Sequence, residues 1–514
     1  MRIMISALAA AAAAMAVAPA TAQQRTLTVG AAVADAGKLD PHLTALGADR
    51  GMLNWVFNAL VRIRPGQANP TFIEPDLAES WTSSPDGKEW TFKLRQGVQC
   101  HGGNGEFTSD DAAYSLKRAS TPGTSAFASD FSSVAAVEAP DRYTVKITLK
   151  QPIPSLLGLV ANHLGGFMVC RKPAEAAGAD FAKRPIGTGP FMFVDYTPQQ
   201  AVRLAANPGY FRGKPQIDAI TYRYIPSDAS RDLAFRTGEL DMVFGRQTDA
   251  WVQRTREVPG ARIVAMEPAE LNMLHLNIKA KPFDDVRVRR AVAHAIDRTT
   301  MLRFQGQSVA RAAVSVIPNG NLGIAQPPLP AFDPAESKRL LAEAGYPNGI
   351  TTNAIQSTLP SIMSLMEVVQ GQLAKGGITM RIDPVDHATY MAQIRKDLSP
   401  VAFYQAARFP VADVYLTQFF HSRSTVGTPT GVINLSHCDV ADAEIEQART
   451  EPDRDRQLAL WKAAQEKIMA AVCAVPLSES LVVWAWKDTL DLGYEMVGSL
   501  NLVPHVTERA RFTR

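Results

Sequence analysis

Apolar and polar positions along the chain switch repeatedly between a period of two and a helical period. Thr26 to Val29 alternates as a short strand, Asp35 to Arg50 is polar enough for a loop, and Leu53, Trp55, Val56, Phe57 and Leu60 follow as a helix-like stretch. Pro85-Asp86-Gly87 supplies turn chemistry between Trp81 and Trp90, and Trp90, Phe92 and Leu94 alternate beyond it, which predicts a hairpin. Thr108 with Asp111 three residues on predicts a capped helix running to about Arg118. Tyr143, Val145, Ile147 and Leu149 alternate again, so residues 69–185 read as a compact α+β insert.

Beyond the insert, Ile220, Tyr222 and Tyr224 predict a strand, Asp228 to Thr237 a helix ended by Gly238, and Leu240 to Phe244 a returning strand. Leu271 to Ile278 is extended. After Pro282, the positions Val288, Ala291, Val292, Ala295, Ile296 and Met301 predict one amphipathic helix with arginines on its other face. Asp333-Pro334-Ala335-Glu336 combines an N-cap, a first-turn proline and an N3 carboxylate, and Gly345 closes that helix. Ile362 to Leu373 and Leu458 to Val472 carry further helical stripes, followed by strands at Ile378 to Ile382 and Leu481 to Trp486. Alternation of helix and strand predicts α/β layers with mixed sheets flanked by helices. At 514 residues, more than one core is required.

Composition narrows the class. With 46% hydrophobic residues and 53 Lys+Arg against 50 Asp+Glu, a net charge of +3, the chain is globular and lacks the basic footprint of a nucleic-acid binder. Residues 1–22 open with Arg2, continue as an apolar run from Ile3 to Ala18, and end in Ala20-Thr21-Ala22. That is the pattern of a secretory signal cleaved after Ala22, and the run is shorter than the roughly 20 residues needed to cross a bilayer. The expected location is the periplasm. No cysteine follows at Gln23, so no lipid anchor is indicated. Cys100, Cys170, Cys438 and Cys473 allow one or two bridges in an oxidising compartment, with Cys438 and Cys473, flanking a helical segment, the first pair to expect.

Marks of catalysis are missing: there is no HExxH, GxSxG, P-loop or EF-hand pattern. Gly187-Thr188-Gly189-Pro190-Phe191 is poorly suited to cradle phosphate because Pro190 lacks an N–H, and a turn between strands is expected. Cys100-His101 and His437-Cys438 place possible ligands side by side without the spacing of a closed zinc site. Glu444/Glu446 and Asp453/Asp455 fit solvated helix faces. No cofactor and no metal are expected.

An ordered series of segments closely resembles the extracytoplasmic solute-binding proteins of ATP-driven importers, the peptide and nickel binding family 5. It runs through Pro75-Asp76-Leu77-Ala78-Glu79-Ser80-Trp81, Trp90 to Val98, Phe107 to Asp111, Gly187 to Phe191, Asn207 to Pro215, Arg236 to Asp241, Pro282 to Ala291, Ala295 to Arg298 and Leu340 to Tyr346. The resemblance implies a bilobal periplasmic-binding-protein clamshell, type II-like, with an extra inserted subdomain. Lobe I would comprise residues 23–68, the insert 69–185, then 186–270 and a return at 480–514, and lobe II 271–479. Leu271 to Ile278 and the region of Leu477 to Leu481 would be the crossings that act as a hinge. Function would be capture without turnover: ligand contacts to both lobes favour the closed state, which ABC-type membrane permease subunits read. The protein is expected to act as a monomer.

Peptide-binding members carry an Asp in lobe II that pairs with the ligand's α-ammonium; the matching stretch here is Ala407-Arg408-Phe409-Pro410-Val411-Ala412-Asp413. Arg408 in that place inverts the charge preference, since a cation–cation contact costs on the order of 4 kcal/mol at an effective dielectric of 20. A peptide-like or other small organic solute with an anionic group, or with a blocked or reversed terminus, is therefore expected, unless Arg408 turns to solvent or pairs with Asp413. Phe403, Tyr404 and Phe409 are candidates to stack on a flat ligand. The resemblance adds Thr44 and Leu46 from a cleft-lining loop, and His275 and Asn277 from the crossing strand. Three other readings stand beside this one: an exported hydrolase, a metal-chelate or haem carrier using His275 or His421, and a receptor component that signals closure.

Overall fold

The computed structural model describes residues 25–513 except 45, 129, 154 and 429–432, so the expected signal segment lies outside the described residues. The chain opens with β1 (Thr26–Ala31) and the short helix α1 (Gly47–Leu53). The helix-like stretch after Leu53 is not a continuous helix. Trp55, Val56 and Phe57 are fully buried in turns, where the Trp55 indole N–H reaches the carbonyl of Pro504 and the Val56 carbonyl accepts from Gly189. Tertiary contacts satisfy that backbone in place of a helix, and the Gly187 to Phe191 loop serves as packing for it.

The insert contains β2 (Ala78–Ser83), β3 (Glu89–Leu94), α2 (Ser109–Ser120), β4 (Val134–Asp141), β5 (Thr144–Leu149) and the single turn α3 (Leu156–Leu159). Its four strands form an antiparallel sheet in the order β2-β3-β5-β4. Thr108 and Asp111 form the expected capping box on α2. The insert has its own core around Phe92, Phe107, Leu116 and Ile147.

Strands β6 (Phe191–Thr197), β7 (Ala201–Ala206), β8 (Ala219–Tyr224), β9 (Met242–Phe244), β10 (Ala261–Leu276), β11 (Ala310–Ala312), β12 (Ile350–Ser357), β13 (Ile378–Val385), β14 (Val401–Ala406) and β15 (Ala474–Lys487) complete the main sheets. A mixed sheet runs β14-β10-β15-β9-β1-β8-β7-β6, with β11 joined to β15; β12 and β13 pair separately in parallel. β10 and β15 are antiparallel from Ala261 opposite Lys487 to His275 opposite Ala474, interrupted by register shifts between Met266 and Glu270 and between Asn272 and Met273. One end of this ribbon packs in a core with Trp55, Tyr222 and Trp484, the other in cores holding Met273, Phe419 and Trp461 or Leu276, Val292 and Met366. The architecture is the mixed α/β periplasmic binding protein fold.

The helix expected after Pro282 is two helices, α4 (Val286–His294) and α5 (Arg298–Gln305), because the Asp297 carboxylate caps the second by accepting from the Thr300 N–H. Nor do all its arginines face water: Arg289 is buried and donates to the carbonyls of Phe283 and Ala471. The helices α6 (Pro334–Glu343), α7 (Pro360–Lys375), α8 (Ala412–Phe420), α9 (Asp442–Thr450) and α10 (Arg454–Ala471) follow, and Asp333 caps α6 by accepting from Ala335 and Glu336. No described helix is long and apolar enough to cross a membrane.

Both cysteine pairs are bonded, Cys100 to Cys170 within the insert and Cys438 to Cys473 around α9 and α10. Cys438–Cys473 is the pair expected first, although it spans two helices. It closes a sequence separation of 35 residues, for which loop entropy alone gives about 4 kcal/mol. The Cys438→Ser/Cys473→Ser variant should therefore lose stability of that order, read as a lower urea midpoint with a slope equal to or steeper than wild type's as the unfolded chain expands.

Candidate functional site

The crossing strands are tied together at the point where they leave the first lobe. The Asn272 amide donates to the hydroxyls of Ser478 (3.0 Å) and Ser480 (2.8 Å), all three residues being buried. Arg311 on β11 pairs with Glu267 on β10 and with Glu479 on β15, while the Asn319 N–H donates to Glu479 at 2.7 Å. Glu479 is fully buried, so burial raises its pKa against the pull of Arg311. A buried carboxylate with two donors is fixed in place, and it anchors the Ala310–Ala312 strand to both crossings.

Beside this anchor, charged groups from several parts of the chain converge. Arg408 follows β14 and is half-buried; its backbone N–H donates to the Tyr415 hydroxyl at 2.9 Å and its Nε to the Gln418 Oε1 at 2.8 Å. Its remaining guanidinium donors reach the Ala407 carbonyl (3.0 Å) and the Tyr404 hydroxyl (3.4 Å), and the group lies over the Tyr404 and Phe419 rings. Every side-chain partner is neutral. Gln418 in turn donates to Asp130 of the insert at 3.5 Å, and the Phe409 ring fills the space that a Cβ on Gly158 of α3 would occupy. Two contacts to the insert thus bracket Arg408.

Arg50 stands on α1, one turn before Asn54, whose side chain accepts from Asn162. The carbonyl of Asn162 accepts from Asn501, and Asn501 also meets the His163 ring at 3.4 Å. The Arg50 Nε is buried with no hydrogen-bond partner among the described residues. Burial first, then the charge of Arg408, holds its guanidinium down at about 10, with Glu270 alone pulling the other way. Glu270, on β10, is hydrogen-bonded by Gln247 and Gln405; burial raises its pKa more than those bonds and the two arginines lower it. Asp130 is likewise raised by burial and opposed by Arg408. Burial, Arg50 and Arg408 together keep His163 neutral, down at about 3. The outcome is a set of buried polar groups, with two guanidinium groups, two acids whose ionised forms are disfavoured by burial, and several amides.

The structure places the residues singled out from sequence in three groups. Arg408 and Tyr404 meet, and the adjoining Phe409 packs against Gly158. Thr44 and Leu46 lie at the start of α1: the Thr44 hydroxyl donates to the Asp49 carboxylate at 3.3 Å, while Leu46, 37% exposed, precedes the helix. The remaining four lie elsewhere. His275 is fully buried and stacked near Phe419 and Phe420, with burial holding its imidazole down at about 3. Asn277 donates to Asp397, Phe403 packs in the core with Leu276 and Val369, and Asp413 is buried against Arg449 at 3.2 Å. Arg408 therefore does not pair with Asp413. His421 bonds Glu446 on its own lobe, and no three metal-ligating side chains cluster among the described residues.

Sequence reading missed Arg50, Asp130, His163, Gln247, Glu270, Gln405, Gln418 and Asn501. Each is a single polar residue in a loop, at a strand edge or on a short helix, and nothing in the local pattern marks it. Only the position of Arg408 within a recognisable segment carried a signal.

The model of bacterial extracellular solute-binding proteins, family 5 Middle, matches residues 73–426. The glutathione-binding proteins GsiB of Shigella dysenteriae serotype 1 and Salmonella typhi are each 30% identical over 426 residues, covering 80% of this chain and 82% of theirs. Among solved structures, the binding protein MoaA of A. tumefaciens R10 in complex with mannopinic acid is 48% identical, with a TM-score of 0.87 over 96% of this chain and 100% of that one. DppA of Helicobacter pylori in complex with the peptide STSA is 26% identical, with a TM-score of 0.82 over 95% and 98%.

Asp49, on α1, carries a measurable pH signature. Burial, which outweighs hydrogen bonds from Gly37 and Thr44, raises its carboxyl to about 6. A raised carboxyl stabilises the fold only below its unfolded value, and that stability is lost as pH rises through the folded value. Asp49→Asn should therefore be more stable than wild type at pH 8, by up to about 3 kcal/mol, with the difference shrinking towards pH 4. Urea titrations at the two pH values check this.

Proposed function

The chain belongs to the bacterial extracellular solute-binding proteins, family 5, and from that premise we propose that it captures a small organic acid between its lobes, gripping an anionic group with Arg408. It is the substrate-binding component of an ABC transporter and not an enzyme. The observation that carries the ligand reading is Arg408 at the lobe boundary, surrounded by neutral partners and stacked on Tyr404 and Phe419. A guanidinium so placed offers its free donors to a carboxylate, and it disfavours the free α-ammonium of an ordinary peptide. The relative that is 48% identical holds mannopinic acid, which supports an acid of that kind as the solute.

Glu270 and Asp130 complement the arginines, since acids favoured in their neutral form present both donor and acceptor to hydroxyl groups. The two crossings near Glu270 and Ser480 act as the hinge between lobe I and lobe II, with the insert contributing Asp130 and His163. In this reading the mature protein begins at Gln23 in the periplasm, works as a monomer, and hands the solute unaltered to the permease subunits.

Calorimetric titration with mannopinic acid tests the proposal. Wild type should bind, with stabilisation of about 2.7 kcal/mol at a hundredfold excess over Kd, and mass spectrometry should recover the acid unchanged. Arg408→Ala should weaken binding about 10- to 100-fold, the loss of a charge-assisted hydrogen bond. Equal affinity in the two proteins would remove Arg408 from the site.

A further inference from the structure

Resting on the reading of Arg408 as the grip on an anionic group, we propose that Gln418 is the positioning residue of that grip: its amide fixes the Arg408 guanidinium without neutralising it, and so makes the site select anions.

One face of α8 builds the seat. Tyr415, Gln418 and Phe419 stand at i, i+3 and i+4 on the helix, a spacing that puts them on the same side. The Tyr415 hydroxyl accepts the Arg408 backbone N–H at 2.9 Å and the Gln418 Oε1 accepts its Nε–H at 2.8 Å. Against the Phe419 ring the guanidinium carbon lies 5.4 Å from the centroid. Tyr415 and Phe419 are fully buried members of one core, so the seat is built on packed side chains. The acid of this helix is engaged elsewhere: Asp413 pairs with Arg449 at 3.2 Å, and Arg449 also donates to Thr417.

A guanidinium carries about five N–H donors in a planar fork. Among the described residues three acceptors meet them, the Gln418 Oε1, the Ala407 carbonyl at 3.0 Å and the Tyr404 hydroxyl at 3.4 Å, which leaves a donor on each terminal nitrogen. Those donors can take a carboxylate. An amide suits the position beside Nε because it carries both kinds of group: its Oε1 accepts from Arg408, while its Nε2 donates to Asp130 of the insert at 3.5 Å. A glutamate of the same shape would meet Arg408 as an ion pair and would have no N–H for Asp130. The charge that attracts an anionic solute would then be matched from within the protein.

The test measures binding of mannopinic acid by calorimetry to the mature protein as wild type, Gln418→Met, Gln418→Glu, Asp130→Asn and the pair Gln418→Glu/Asp130→Asn. Gln418→Met, which keeps the length and loses the hydrogen bond, should bind about 2- to 10-fold more weakly. Gln418→Glu, which keeps the shape, should lose about 10- to 100-fold, and it should lose as much when made on Asp130→Asn, where no acid opposes it. A role in packing or aim alone predicts the reverse order, since a carboxylate holds a guanidinium more tightly than methionine does. Three results overturn the proposal: a Met variant that binds like wild type, a Glu variant that binds as well as the Met variant, or recovery of the Glu variant on Asp130→Asn. If wild type does not bind mannopinic acid, the proposed solute class fails by itself, and urea unfolding without solute decides. There the losses from Gln418→Met and Arg408→Met should fall short of additive in the double variant; additive losses overturn the seat.

Discussion

The pairing of β10 with β15 is the constraint on which the rest of the molecule depends. Two strands of 16 and 14 residues run side by side from one hydrophobic core to the next, so the halves of the protein share a sheet. The register shift between Met266 and Glu270 breaks the ladder at the transition. There the missing backbone pairing is replaced by side chains: Asn272 on Ser478 and Ser480, and Arg311 between Glu267 and Glu479. An irregular ladder twists and bends more than a regular one, and these polar cross-links hold the strands together across it.

The same geometry explains the electrostatics of the cleft. Glu270 sits on β10 beside the register shift, where Gln405 of β14 donates to its carboxylate. The elements that meet there end in loops or short helices, and their polar side chains fill the gap left between separate cores. Arg408, unlike Arg62, Arg118 or Arg449, has only neutral hydrogen-bond partners there.

Legibility from sequence differed with the range of the interaction. The hairpin of β2 and β3, the capping box on α2 and the Asp333-Pro334 start of α6 were all evident because residues within one turn make them. The stretch Leu53 to Leu60 was misread since its apolar spacing suits a helix, while the carbonyl of Val56 and the indole of Trp55 are taken by residues more than a hundred positions away. His275 and Phe403 illustrate the converse: chemistry-bearing types on strands near the cleft, both turned into cores by the alternation of strand side chains.

What the sequence by itself determined was the α/β class, most of the elements, the cysteine pair around α9 and α10, and the unusual arginine at position 408, all of which follow from short-range periodicity, turn chemistry or motif order. Tertiary structure alone decided that Asp413 belongs to Arg449, that Arg408 has no acid of its own, and that Arg50, Asp130 and Glu270 stand near it. Charge interactions act through space and depend on burial, so residues hundreds of positions apart acquire their electrostatic partners only when the cores have packed.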